Sequence, residues 1–363
     1  MNSKRHVAVH LGFILLTACP QLLDDSFDSG LHQPELQTVP DASAGAGVGG
    51  SGHAGASSGG AGSAGVGGAG GTGEPGAAPV VSSVVPADGA RAMLPDADVV
   101  FTFSAPMDTR SVEAAYASSE LPATAVSFAW SAGDTVLRVR PNAPLHVNSG
   151  VDSATVQAAS YVIDIGSAAT DKAGVPLVPK HLNFNVVRSI TKELAAVQDR
   201  DLTGNWRTDD SYGSIYCERV DTTICIGDGA GVYTGFVTFP LNDLPSDVVS
   251  ISAAELSSTV ELLLGDPFGA LGTLRVEHAE FNLIGTEALS ASPLAAAKAL
   301  SSSATGAQRM STDVLAEVRS DWGTRARSQF RLFFDTATNS DAVADQVICD
   351  WASAQLTLTY WLP

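Results

Sequence analysis

Val99-Val-Phe101-Thr-Phe103-Ser-Ala-Pro106-Met-Asp108 decides how the first half of this chain folds. Val99, Phe101 and Phe103 alternate with Val100 and Thr102. A period of two puts the apolar side chains on one face of a strand. Pro106 and Asp108 then break the run. Further along, Leu137 and Val139 alternate with Val136, Arg138 and Arg140 in the same way. Such runs separated by Pro, Gly and Asp predict antiparallel strands in a β-sandwich. Phe101, Phe103, Trp130, Tyr161 and Phe184 are the expected core. No cysteine lies between residues 79 and 188, so burial alone must hold this domain together.

Those residues have a family likeness. Pro86-Ala-Asp-Gly89, the Val100 to Asp108 run, Trp130, Leu137-Arg-Val139-Arg-Pro141 and Pro144-Leu145 occur in order. Tyr161-Val-Ile163, Thr170-Asp-Lys-Ala-Gly-Val-Pro-Leu177 and Phe184-Asn-Val186 follow them. Residues 79–188 thereby resemble the Ig-like domain of bacterial surface-layer and adhesion proteins. The pattern departs between Pro144 and Tyr161, where extra residues lengthen a loop. The resemblance implies a spacer or display module without an active site. Asp171, close to Gly174, is read as a turn former.

Residues 199–363 also read mainly as strand. Phe330-Arg-Leu332-Phe-Phe334 and Leu356-Thr-Leu358-Thr-Tyr360 carry the pattern, the latter with strict alternation. Asp313 to Asp321 has helical spacing, with Ser311 or Thr312 as the expected N-cap. Residues 286–308 leave a short helix and a loop both open. The order of Phe239 to Pro245, Ile251 to Leu256, Thr312 to Trp322, Phe330 to Phe334 and Leu356 to Tyr360 resembles the DNRLRE-type jelly-roll module of secreted bacterial proteins. That likeness implies a β-sandwich related to carbohydrate-binding modules and no defined ligand.

Candidate chemistry is sparse. His146, His181 and His278 lack metal-ligand spacing, and His278 is read as part of a solvated strand face. If a metal binds, hard oxygen ligands point to calcium. The candidates are Asp199, Asp201 and Asp228, with Asp341 and Asp345 as a separate group. The preferred reading of these acids is as solvated turn residues. Trp206, Tyr212, Tyr216 and Tyr233 are candidates for stacking on sugar rings, or else belong to the core. Cys217, Cys225 and Cys349 allow three single disulfides. The short Cys217–Cys225 loop is favoured, leaving Cys349 free and buried.

The chain begins with Lys4-Arg5, an apolar run from Val7 to Ala18, and Leu16-Thr-Ala-Cys19. Residues 1–18 have the layout of a signal peptide. The four residues ending at Cys19 resemble the bacterial lipobox, which implies lipidation of Cys19 and a membrane anchor. Each buried methylene of such an anchor contributes ~0.8 kcal/mol. Residues 19–78 then read as a tether, nearly all Gly, Ala and Ser from 43 to 77. That composition cannot bury enough apolar surface to offset chain entropy. Gly45 to Gly50 and Gly60 to Gly65 fit G-x-G-x-x-G, and Gly55 to Gly59 fits G-x-S-x-G. Both motifs require a preceding strand and a following helix, which this composition does not supply.

The expected fold class is therefore all-β: two tandem β-sandwiches, Ig-like then jelly-roll-like, after a disordered Gly/Ala/Ser-rich tether. With 20 basic against 39 acidic residues the formal charge is -19. This charge would repel phosphate backbones and argues against nucleic acid as a partner. The leading expectation is a non-enzymatic lipoprotein of the cell envelope, at the outer membrane or cell surface. Its partners would be the membrane and a glycan or envelope protein. A structural envelope component is the alternative reading, and a polysaccharide-acting hydrolase the remaining one.

Overall fold

The computed structural model describes residues 77–208, 222–229, 231–341 and 343–363. The expected signal peptide of residues 1–18, Cys19, nearly all of residues 20–78, Tyr212, Tyr216 and Cys217 lie outside the described residues.

The first sandwich contains β1 (Val81–Val85), β2 (Ala90–Met93), β3 (Val99–Phe103), α1 (Thr109–Ala115), β4 (Tyr116–Ala117), β5 (Val126–Ser131), β6 (Val136–Pro141), β7 (Ser149–Gly150), β8 (Ser160–Ile165) and β9 (Lys180–Val186). One sheet has the order β1-β3-β6-β5 and the other β2-β9-β8-β4. The alternation in β3 becomes burial of Val99, Phe101 and Phe103. Phe101 pairs with Leu137 and Val99 with Val139, so two apolar faces line one core. Each aromatic ring taken from water contributes ~2 kcal/mol, which lets the domain stand without a disulfide. Tyr161 stacks on Phe184, with centroids 5.6 Å apart. Trp130 is only half-buried; it stacks on Phe103 and donates its indole N–H to Glu113. Asp171 does form a turn: its Oδ1 accepts the amides of Ala173 and Val175 beside Gly174 at φ +82°.

The second sandwich contains β10 (Arg188–Ala195), β11 (Gly204–Arg207), β12 (Thr223–Asp228), β13 (Tyr233–Pro240), β14 (Ser250–Leu264), α2 (Pro267–Leu271) and β15 (Leu274–His278). It continues with α3 (Thr286–Ser290), β16 (Lys298–Ser301), β17 (Arg309–Asp313), α4 (Leu315–Asp321), β18 (Arg327–Phe334), β19 (Asp345–Asp350) and β20 (Gln355–Leu362). The hydrogen-bonded order is β16-β15-β18-β13-β12-β19-β14-β20-β10-β7, with β11 on β13 and β17 on β14. β14 turns this path into two layers. Its first part, Ser250 to Ser257, pairs with β20, and Val260 to Leu264 pairs with β19. A register shift between Val260 and Leu262 lies at the changeover. Bulged strands that switch sheets make the corners of such sandwiches. Leu356, Leu358 and Tyr360 on one side and Val237, Phe239 and Phe330 on the other close a single core.

Two expectations are corrected here. Ser311 and Thr312 do not cap the helix; both lie in β17, paired with β14, and α4 starts at Leu315 with its amide bonded to Asp313 Oδ1. His278 is not solvated: it is 3% exposed. Its strand does alternate, but the face carrying Val276 and His278 turns inward against Phe330. Residues 286–308 contain a helical turn, α3, and an edge strand, β16.

The loop from Asn142 to Ala159, where the Ig-like pattern departs, carries the contact to the second sandwich. Its β7 pairs in parallel with β10, Ser149 beside Ser189 and Gly150 beside Ile190. Val156 packs on the second core, and Trp361 of β20 packs on the first. Arg188, the first residue of β10, donates to the carbonyls of Ser153, Val156 and Pro363.

Candidate functional site

The outer face of the second sandwich carries a cleft of about 420 Å³. Alternation places Arg331 and Phe333 of β18 on this face, while Phe330, Leu332 and Phe334 face the core. Across the sheet Arg331 pairs with Glu277 of β15 and Phe236 of β13. The Arg331 guanidinium donates to Glu277 Oε2 through Nε at 2.9 Å and again through Nη2. Its Nη1 donates to the carbonyls of Ala288 and Leu289 at the end of α3. Arg331 is thus a rigid floor, with its donors aimed within the protein. Half-buried Phe333 lines the cleft, with Thr234 and Tyr233 almost wholly buried in its wall. Arg207 stands 5.9 Å over the Tyr233 ring and donates to its hydroxyl. A half-buried ring beside hydroxyls and a fixed carboxylate suits a polar ligand with one flat apolar face. Among the described lining residues Glu277 is the single carboxylate.

Of the aromatic candidates, Tyr233 is 2% exposed and belongs to a small cluster with Cys225 and Ile348. Trp206 packs against the cluster of Phe236 and Phe281. Phe333 and Arg331 escaped notice in the sequence because Phe330-Arg-Leu-Phe-Phe334 has apolar residues on both faces. Only the β15–β18–β13 register shows which of them lines a cleft.

Asp199, Asp201 and Asp228 do not converge. Asp199 Oδ1 caps the turn at Asp201, and the Asp201 carbonyl accepts the amide of Ile284. Asp228 instead sits directly across from Asp345 on β12 and β19. Among the described residues no three His, Cys, Asp or Glu side chains form a group able to hold a metal by themselves.

Cys349 is free, and burial pushes its thiol up to about 11. Cys225 is not free. Ile224 pairs with Cys349 and Cys225 with Ile348. Paired residues share a face and neighbours alternate, so Cys225 and Cys349 point to opposite sides of the sheet and cannot bond to each other.

A buried polar knot joins three elements of this domain. His278 Nε2 lies 2.8 Å from Asp321 Oδ2, which also accepts the hydroxyl of Ser328 at 2.6 Å. Arg325 donates to Asp321 Oδ1 at 2.7 Å. Burial raises the Asp321 carboxyl, but the hydrogen bonds from His278, Ser328 and Arg325 outweigh it and hold it below the ordinary carboxylate range.

No helix among the described residues is long and apolar enough to cross a membrane. Residues 76–186 match the family profile described as bacterial Ig-like domain. No curated protein matches the chain. Among solved structures, an L,D-transpeptidase from Mycobacterium smegmatis shares 15% identity over 60% of this chain and 72% of that one, with a TM-score of 0.22. The S-layer protein rSbsC shares 10% identity over 65% of this chain and 32% of that one, with a TM-score of 0.22. A Bacteroides ovatus protein, SGBP-B from a mixed-linkage glucan utilization locus, solved with a mixed-linkage heptasaccharide, shares 10% over 78% and 53%, with a TM-score of 0.18.

Proposed function

We propose that this chain is a non-enzymatic lipoprotein of the bacterial cell envelope, in which the Ig-like domain of residues 76–186 holds out the second sandwich to bind glycan. The observation that carries the reading is the outer-face cleft of Phe333, Tyr233, Thr234 and the Arg331–Glu277 pair. A flat ring flanked by fixed polar groups meets the two faces of a sugar, apolar C–H and hydroxyl. Two features support the envelope setting: the Ig-like match, and the Leu16-Thr-Ala-Cys19 sequence that resembles a lipobox. Lipidation of Cys19 would supply the anchor, and the Gly/Ala/Ser-rich segment the reach.

A glycan array probed with the full chain and with Phe333→Ala tests the binding half. Binding by the former that falls at least tenfold in the latter is expected. Absence of any glycan signal, or equal signal from both proteins, rejects it. Cys19→Ser tests the anchor: the variant is expected in the soluble fraction after a high-salt wash, and retention in the membrane fraction rejects lipidation.

A further inference from the structure

We propose that Asp228 and Asp345, together with Asn339 and Asp341 of the loop that covers them, form a binding site for a calcium-like divalent cation. It shares no side chain with the cleft, although Gly227 and Ala337 of the cleft lining are close to it along the chain, and it does not rest on the glycan reading.

Asp228 ends β12, Asp345 begins β19, and the two are cross-strand partners. They are 3% and 4% exposed, so two carboxylates are side by side out of water. The Asp228 carboxylate is directed at the covering loop, since its Oδ2 accepts the amide of Asn339 at 3.0 Å. Its Oδ1 is buried and has no hydrogen-bond partner. On Asp345, Oδ1 accepts the amide of Asp266 at 2.6 Å. The side-chain amide of Asn339 donates to Asp345 Oδ2 at 3.2 Å and to Asp341 Oδ2 at 2.9 Å. Asn339 therefore stands among three carboxylates, as a weak donor where a positive charge would be far more favourable.

No described base neutralises them. Three arginines of this half pair elsewhere: Arg275 with Asp335, Arg325 with Asp321 and Glu280, Arg331 with Glu277. A buried carboxylate oxygen with neither donor nor cation is costly, and a second carboxylate alongside raises the cost. An orphaned buried acceptor of this kind calls for a partner that the chain does not supply, a water or an ion. Every acceptor in this cluster is an oxygen, which selects a hard cation, and of these oxygens Asp228 Oδ1 alone lacks a donor. The three acids do not by themselves make a cage. A cation would be held by a mixed set: Asp228 Oδ1, Asp345 Oδ2, an Asp341 oxygen and the Asn339 amide oxygen, with water completing the six to eight ligands that calcium takes. The backbone is shaped to seat these groups. At Gly265, with φ +62°, an added Cβ would lie 2.1 Å from Asp345 Oδ1 and 2.4 Å from the carbonyl of Ala344.

The test is thermal melting of the full chain, stripped with EDTA, then given 5 mM calcium or sodium chloride of equal ionic strength. Calcium is expected to raise the midpoint by about 5 °C, by binding the folded state alone. Asp228→Asn should abolish that rise, and Asp341→Asn should at least halve it. Asp199→Asn should leave it whole. No rise in the wild-type chain, or a full rise in Asp228→Asn, overturns the site. If Asp228→Asn fails to fold, Asp341→Asn decides alone: an undiminished rise overturns the site. Glycan binding by the wild-type chain is scored separately, so loss of one reading leaves the other standing.

Discussion

Nη1 of Arg188 donates to the carbonyl of Val156 at 2.6 Å, from the first strand of the second sandwich to a loop of the first. The same guanidinium reaches Ser153 and, through Nε, Pro363 at 3.0 Å. One side chain thus satisfies three carbonyls contributed by both sandwiches, beside the parallel β7–β10 pairing. Arg188→Ala would remove all three bonds and leave the carbonyls without their donor. A cost of about 3 kcal/mol is expected. Calorimetry is expected to show one unfolding transition in the wild-type chain and two in Arg188→Ala. A single unshifted transition in the variant would mean that the clamp adds nothing.

Asp321 ties α4 to β15 through His278 and to β18 through Ser328. Asp321→Asn should cost about 3 kcal/mol at pH 7, because it breaks a buried charge network. The carboxyl of Asp321 is held below its ordinary value. Its stabilisation is therefore present above the unfolded-state value of ~3.9 and fades as pH falls through the lower folded-state value. The gap in melting temperature between wild type and variant should be wide at pH 7 and narrow in strong acid. A gap that is unchanged with pH would refute the ionised role.

The cysteines divide by face. Cys349 sits in the main core with its thiol pushed up to about 11, so it should resist thiol reagents at pH 8 until the protein unfolds. Cys225 faces the other side, and we expect mass mapping of non-reduced peptides to show it joined to Cys217. A Cys217–Cys349 peptide would refute that pairing.

Gly227 has φ +133°, and a Cβ there would fall 2.1 Å from the carbonyl of Asp345. That neighbour is backbone and can yield only if β12 and β19 separate. Gly227→Ala should therefore destabilise the second sandwich by about 3 kcal/mol. Chemical denaturation measures it, and a variant within 0.5 kcal/mol of wild type, about the noise of a surface change, would show that the strands have slack.

Much of the architecture could be read directly from local pattern. Alternation at Val99, Phe101 and Phe103, and again at Leu356, Leu358 and Tyr360, determined strands and their buried faces, because the pleat has a period of two whatever the partner strand is. Asp171 and Gly174 were legible as a turn for the same local reason. Partner choice was not. His278 alternates correctly in the sequence, yet whether its face meets water or Phe330 depends on the layer laid over β15. Asp228 and Asp345 are far apart along the chain, and only the β12–β19 register makes them neighbours. The loop after Pro144 looked like a mere interruption until β10 paired with it. Side-chain periodicity is a property of one strand, whereas burial of a charge, a cleft or a clamp requires two strands brought together by register, which only the closed tertiary structure decides.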